Sequence, residues 1–152
     1  MMSVASQFFV AEGKFTPEVI LNEKLSKLHF TGRCAIESTY DFFHNINEVV
    51  STHFKTNQTL EINLCMEYLN TSSTKAMVNF LKETYKYTST GKVVNVNWLY
   101  EQGDRDMMEV GEDISDLLEL TLNLVEIPFE TEYYSTTTSE LLQITKDSIS
   151  FG

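Results

Sequence analysis

The chain has 152 residues, with 22 Asp and Glu against 11 Lys and Arg, so its net charge is −11. A chain of this length buries roughly two-thirds of its unfolded surface around one core without a disulfide or a metal, and 42% apolar residues, ten Phe and seven Tyr among them, exclude a disordered acidic chain. The same charge excludes nucleic acid and anionic membrane as natural partners, because both are bound through basic patches.

The first 14 residues read as an N-terminal extension. Pro17 to Asn22 and Lys24 to Thr31 then form two short β-type runs around an Asn22-Glu23 turn, an opening hairpin whose second run ends at Gly32. Ser38 or Thr39 caps a helix carrying Phe42, Phe43, Ile46, Val49, Val50 and Phe54 at helical spacing. Thr59 to Met66 alternates Leu60, Ile62, Leu64 and Met66 with Glu61, Asn63 and Cys65, the period of a strand. The polar stretch Asn70 to Thr74 opens a second helix, with Met77, Phe80, Leu81 and Tyr85 inward, which stops near Gly91.

Lys92 to Tyr100 is the next strand, with Trp98 assigned to the core. After the Gln102-Gly103-Asp104 turn, a third helix places Met107, Val110, Ile114, Leu117 and Leu118 inward and Glu109, Glu112, Asp113 and Asp116 outward. Met107 and Met108 are neighbours, so they cannot both face the core. Thr121 to Ile127 is the last strand. The order β-β-α-β-α-β-α-β predicts a small single α/β domain over residues 15–128, with a sheet that is parallel in its later part. Residues 129–152, rich in Ser and Thr with Leu141, Leu142 and Ile144 as one apolar cluster, read as an acidic, mobile tail that docks through a short helix.

Chemistry is sparse. No Walker loop, nucleophile elbow, dinucleotide fingerprint or metal spacing is present, so neither an enzyme nor a cofactor is predicted. His29, His44 and His53 are not spaced as ligands and read as surface or half-buried histidines, and Cys34 and Cys65 read as reduced thiols, Cys65 as a small buried hydrophobe. The N-terminus lacks the basic and apolar regions of a signal peptide, and no apolar run reaches the roughly 18 residues of a membrane span. A cytoplasmic protein is expected. Charge is divided along the chain: residues 1 to 100 hold nine acidic and nine basic side chains, whereas residues 101 to 152 hold thirteen acidic groups against Arg105 and Lys146. A basic protein surface is the partner this pattern fits.

One stretch stands out, Tyr68-Leu69-Asn70-Thr71-Ser72-Ser73-Thr74-Lys75-Ala76-Met77. Four consecutive hydroxyl residues at a helix start exceed what capping requires, since one side chain serves that purpose. A phosphate there meets free N–H groups and the positive end of the helix dipole. That segment, with Thr16-Pro17-Glu18-Val19 and the Asp106 to Asp113 block DMMEVGED, resembles the SiaC-type regulatory phosphoproteins of bacteria over residues 15 to 128. The resemblance implies a STAS-like fold, similar to that of the anti-sigma-factor antagonists. It also implies a threonine phosphorylated by a partner kinase and released by a PP2C-type phosphatase, and an unmodified form that binds and activates a diguanylate cyclase. Carried over by position, the phosphoacceptor is Thr71, and Asn70, Ser72 and Ser73 complete the matching block; Lys75, one turn into the helix, is placed to neutralise part of the phosphate charge and joins those three as an expected partner-binding residue. Asn70 and Thr71 stand where the antagonists have Asp-Ser, and Ser73-Thr74 replace their Gly-Leu, departures that favour the SiaC-type branch. The alternative from a different class is a constitutive binding module that docks through the acidic helix over residues 104 to 119.

Overall fold

The computed structural model describes residues 7–120 and 122–128. Among the described residues six strands form one sheet in strict chain order: β1 (Gln7–Val10), β2 (Glu18–Asn22), β3 (Lys27–Cys34), β4 (Thr59–Leu69), β5 (Val93–Glu101) and β6 (Asn123–Ile127). β1, β2 and β3 pair antiparallel, and β3 to β6 pair parallel. Three helices supply the crossovers: α1 (Tyr40–Thr56), α2 (Thr71–Tyr85), continued by a 3-10 turn over Lys86–Thr90, and α3 (Arg105–Leu118). Right-handed crossovers that step in one direction put every helix on the same face of the sheet.

The main core lies between that face and the helices. Leu28, Phe30, Ile62, Leu64, Val96 and Trp98 project from the strands and meet Phe43, Ile46, Met77, Phe80, Leu81 and Ile114. The Phe30 and Phe80 rings lie 5.7 Å apart, a tilted aromatic pair. Trp98 is fully buried, and its indole Nε1–H donates to the Met107 carbonyl at 2.8 Å, which joins α3 to β5. Met107 is buried and Met108 half-buried, so the two methionines do divide as their adjacency requires. The other face carries a smaller cluster of Cys65, Leu99 and Ile127. On it Asn63, Asn97 and Asn123 stand in register: Asn97 Nδ2 donates to Asn63 Oδ1 at 2.8 Å and Asn123 Nδ2 to Asn97 Oδ1 at 3.0 Å.

The mixed α/β fold agrees with the sequence reading, and several details differ from it. Residues 7–10, counted with the N-terminal extension, form β1 and pair with β2. β3 does not stop at Gly32. It continues to Cys34 past an irregularity between Gly32 and Arg33, where Gly32 adopts φ +115°, a value open to glycine at little cost. Leu25 belongs to the turn between β2 and β3, not to a strand. Leu117, assigned inward, is 60% exposed at the end of α3, because the helix stops one residue later and its last turn buries Leu118 instead. His29 and His53 are fully buried, not half-buried: the sheet encloses His29, and His53 Nε2–H donates to the Thr59 carbonyl at 2.9 Å. The tail predicted over residues 129–152 lies outside the described residues. No described helix is long and apolar enough to cross a membrane.

Candidate functional site

The site lies at the carboxyl ends of β3 and β4. Asn70 leaves β4 in an extended conformation (φ −80°, ψ 175°) and is the N-cap of α2: its Oδ1 accepts from the Ser73 N–H at 2.8 Å. Its own N–H donates to the Cys34 carbonyl at 3.1 Å, so the cap is tied to the end of β3. The neighbouring hydroxyls are committed as well. Ser72 Oγ–H donates to the Ile36 carbonyl at 2.7 Å, Ser73 Oγ accepts from the Ile36 N–H at 3.1 Å, and Thr74 Oγ1–H donates to the Asn70 carbonyl at 2.9 Å. Together these bonds staple the start of α2 to the segment after β3.

Thr71 is the exception. It is the first residue of α2 and exposed, and among the described residues nothing binds its hydroxyl. The sequence showed four hydroxyls in excess of one cap; the structure gives three of them structural work and leaves the fourth facing solvent. Ser73, predicted to bind partners, is fully buried and serves the loop from within, so it presents no surface to another protein. Asn70 and Ser72 are half-buried and share that internal role, while Lys75 is exposed one turn further along α2.

Electrostatics single out the same spot. The first turns of α1 and α3 contain Asp41 and Asp106, which offset the positive end of each helix dipole, whereas the first turn of α2 contains no acidic residue. The Ser73 N–H is used by the Asn70 side-chain cap and that of Thr74 by the Asn70 carbonyl, and those of Thr71 and Ser72 meet no acceptor among the described residues. An anion attached to Thr71 Oγ1 therefore meets an uncompensated dipole and free donors. Beneath the loop, Cys34 is buried, and that burial pushes its thiol up against the opposing hydrogen bonds from Ser73 and Ile36. It is a packed hydrophobe in this position and no nucleophile.

Sequence reasoning missed two features of the site's surroundings. Arg33 and Tyr68, partners in the β3–β4 register, are both exposed, and the guanidinium sits 4.8 Å from the ring centroid. Only the register brings these residues, 35 positions apart in the chain, together. Between α1 and α2 runs a groove of about 400 Å³ that starts at Ser72 and Lys75 and is floored by Phe43 and Phe80, with the exposed Tyr40 stacked on His44 at its rim. Among the described residues no group of three His, Cys, Asp or Glu side chains is placed to hold a metal.

A family model described as SiaC family regulatory phosphoprotein matches residues 10–127. An uncharacterized protein of Pseudomonas aeruginosa is 28% identical over 102 residues, 66% of this chain and 81% of that protein. Among solved structures, the chain is similar to one from the crystal structure of the diguanylate cyclase SiaD in complex with its activator SiaC, from Pseudomonas aeruginosa. The TM-score is 0.69 at 23% identity, covering 80% of this chain and 98% of that one. SiaC of Pseudomonas aeruginosa alone gives a TM-score of 0.67 at 23% identity, with 84% and 99% covered. These structures share the fold of this chain.

Proposed function

The chain belongs to the SiaC family of regulatory phosphoproteins, and from that premise we propose that it is a phospho-switch with Thr71 as its phosphoacceptor. A partner serine/threonine kinase adds the phosphate, a PP2C-type phosphatase removes it, and the unmodified form binds an effector. The role of SiaC as activator of the diguanylate cyclase SiaD in Pseudomonas aeruginosa supports a diguanylate cyclase as that effector and control of cyclic-di-GMP as the output. The chain itself acts by binding and not by catalysis, and a nucleotide-consuming kinase and cyclase imply the cytoplasm as its place of work.

The observation that carries this reading is the separation of Thr71 from its neighbours: one exposed hydroxyl without a partner, beside three that hold the loop. Rigid neighbours mean that modification changes charge without refolding the domain. Phosphorylation adds about −1.5 to −2 charge to a region whose first hundred residues are electrically balanced. A neutral hydroxyl enters a partner's pocket readily, whereas a dianion must be desolvated there and matched by cations, a misfit that costs several kcal/mol when unmatched. Lys75 and the open N–H groups hold the phosphate on this chain's own surface and keep the phosphorylated state stable.

The test is binding of a diguanylate cyclase partner to Thr71→Ala and Thr71→Glu variants. The alanine variant is expected to bind like the parent and the glutamate variant at least about tenfold more weakly, a difference near 1.4 kcal/mol. Equal binding by both would sink the switch and leave the loop as a helix cap.

A further inference from the structure

The other end of the molecule carries a second surface. At the end of α3 Leu117 is 60% and Leu120 43% exposed, and in β6 Leu124 is 37% and Val125 39% exposed. β6 is the last strand of the sheet, so Leu124 and Val125 present apolar side chains on both faces of an edge. Among the described residues no strand pairs with the outer side of β6, and an edge flanked by exposed apolar residues is a template for one more strand.

Charge specifies what that strand carries. α3 holds Asp106, Glu109, Glu112, Asp113 and Asp116 against Arg105 alone, and none of the five carboxylates forms an ion pair among the described residues. Glu119 caps the helix in a left-handed conformation, φ +56°, where glycine or asparagine is the usual choice and where a carboxylate opposes the negative end of the dipole. A carboxylate there, and Asp116 in the last turn, weaken the isolated domain, which fits a surface shaped for a partner.

From this combination we infer that the α3–β6 edge is a docking surface for an extended basic segment of another protein. The segment adds to β6 as a seventh strand, its apolar residues covering Val125 on the face away from α3 and its lysines or arginines facing the α3 carboxylates, with their alkyl stems over Leu117 and Leu120. A second copy of this chain is disfavoured as the occupant, because two acidic α3 helices would be brought together.

The surface is separate from Thr71. β4 and β5 run parallel, so the starts of α2 and α3 lie at the same end of the sheet. α3 then runs back about 20 Å before reaching Leu117. Binding there is therefore independent of the switch, and one chain holds an edge partner while Thr71 cycles between its states.

The experiment uses a short synthetic peptide of alternating lysine and valine, titrated into the isotope-labelled protein at physiological salt. A lysine–glycine peptide of equal charge is the control. Expected are saturable amide shift changes concentrated on residues 117–127, affinity at least about tenfold weaker for the lysine–glycine peptide, and unchanged affinity in Thr71→Glu. The paired variant Leu117→Ser and Val125→Ser, which alters only exposed positions, is expected to lose that binding with its melting curve preserved. Equal affinity for both peptides, shifts spread over α3 alone, or no saturable binding would overturn the inference. Because the Thr71→Glu arm reads the switch independently, failure here leaves the phospho-switch standing, and the reverse also holds.

Discussion

His29 shows how far a side chain's consequence depends on its surroundings. It stands in β3 opposite Ile20 and Asn63, is 1% exposed, and among the described residues has no hydrogen-bond partner for either ring nitrogen. Burial lowers its pKa from 6.5 to about 4. The folded state therefore refuses a proton that the unfolded chain accepts, so stability is fully present above pH 6.5, falls as pH drops toward 4, and levels off below that. The full loss is about 3 kcal/mol. Denaturant unfolding across this pH range checks it: the parent should lose stability on acidification and His29→Leu should lose distinctly less, while parallel pH profiles would contradict the assignment. Ser73→Ala leaves the Ile36 N–H without its acceptor in a buried site, and an expected loss of about 1–3 kcal/mol is read from the same unfolding curves. At this scale Thr71 was legible, because four hydroxyls after Asn70 announce more than a cap. The burial of Ser73 was not, because its partner Ile36 lies 37 residues away and nothing local marks that contact.

Secondary elements were the most legible level. Period-two alternation in Thr59 to Met66 and helical spacing in α1 and α2 each follow from a face that must be buried. The misses have physical causes. β1 is four residues long and reads as part of a loose extension, since its strand character comes from pairing with β2. β3 continues past Gly32 because the parallel partner β4 supports it there. Leu117 follows the helical spacing of α3 but falls where the helix ends. Gly111 marks the closest approach of α3 to the sheet: a Cβ built on it lies 2.5 Å from Trp98 and 2.8 Å from Leu124. Gly111→Ala should therefore push α3 outward, at about 1–3 kcal/mol, and strain the Trp98 Nε1–H bond to Met107. Urea unfolding together with a change in Trp98 fluorescence checks this, and an unchanged midpoint would show that the helix gives way freely.

For the whole molecule, chain-order strands and one-sided helices separate two surfaces that a count of residues cannot tell apart. The electrically balanced part, residues 1 to 100, holds the Thr71 loop, and the acidic excess begins at Glu101 and follows α3 to the β6 edge. Charge division along the chain was visible in the sequence, but its placement in space depends on the parallel pairing of β4, β5 and β6, which puts the start of the acidic α3 at the Thr71 end of the sheet and its last turn, with the entry to β6, at the other. A phosphate on Thr71 is thus a large local event that leaves the distant edge untouched. The most direct measurement is site-localised mass spectrometry of the chain after treatment with its partner kinase and ATP. The account predicts a single phosphate on Thr71, absent in Thr71→Ala and removed by a PP2C-type phosphatase. No added phosphate, or phosphate on Ser72, Ser73 or Thr74 instead, would contradict it.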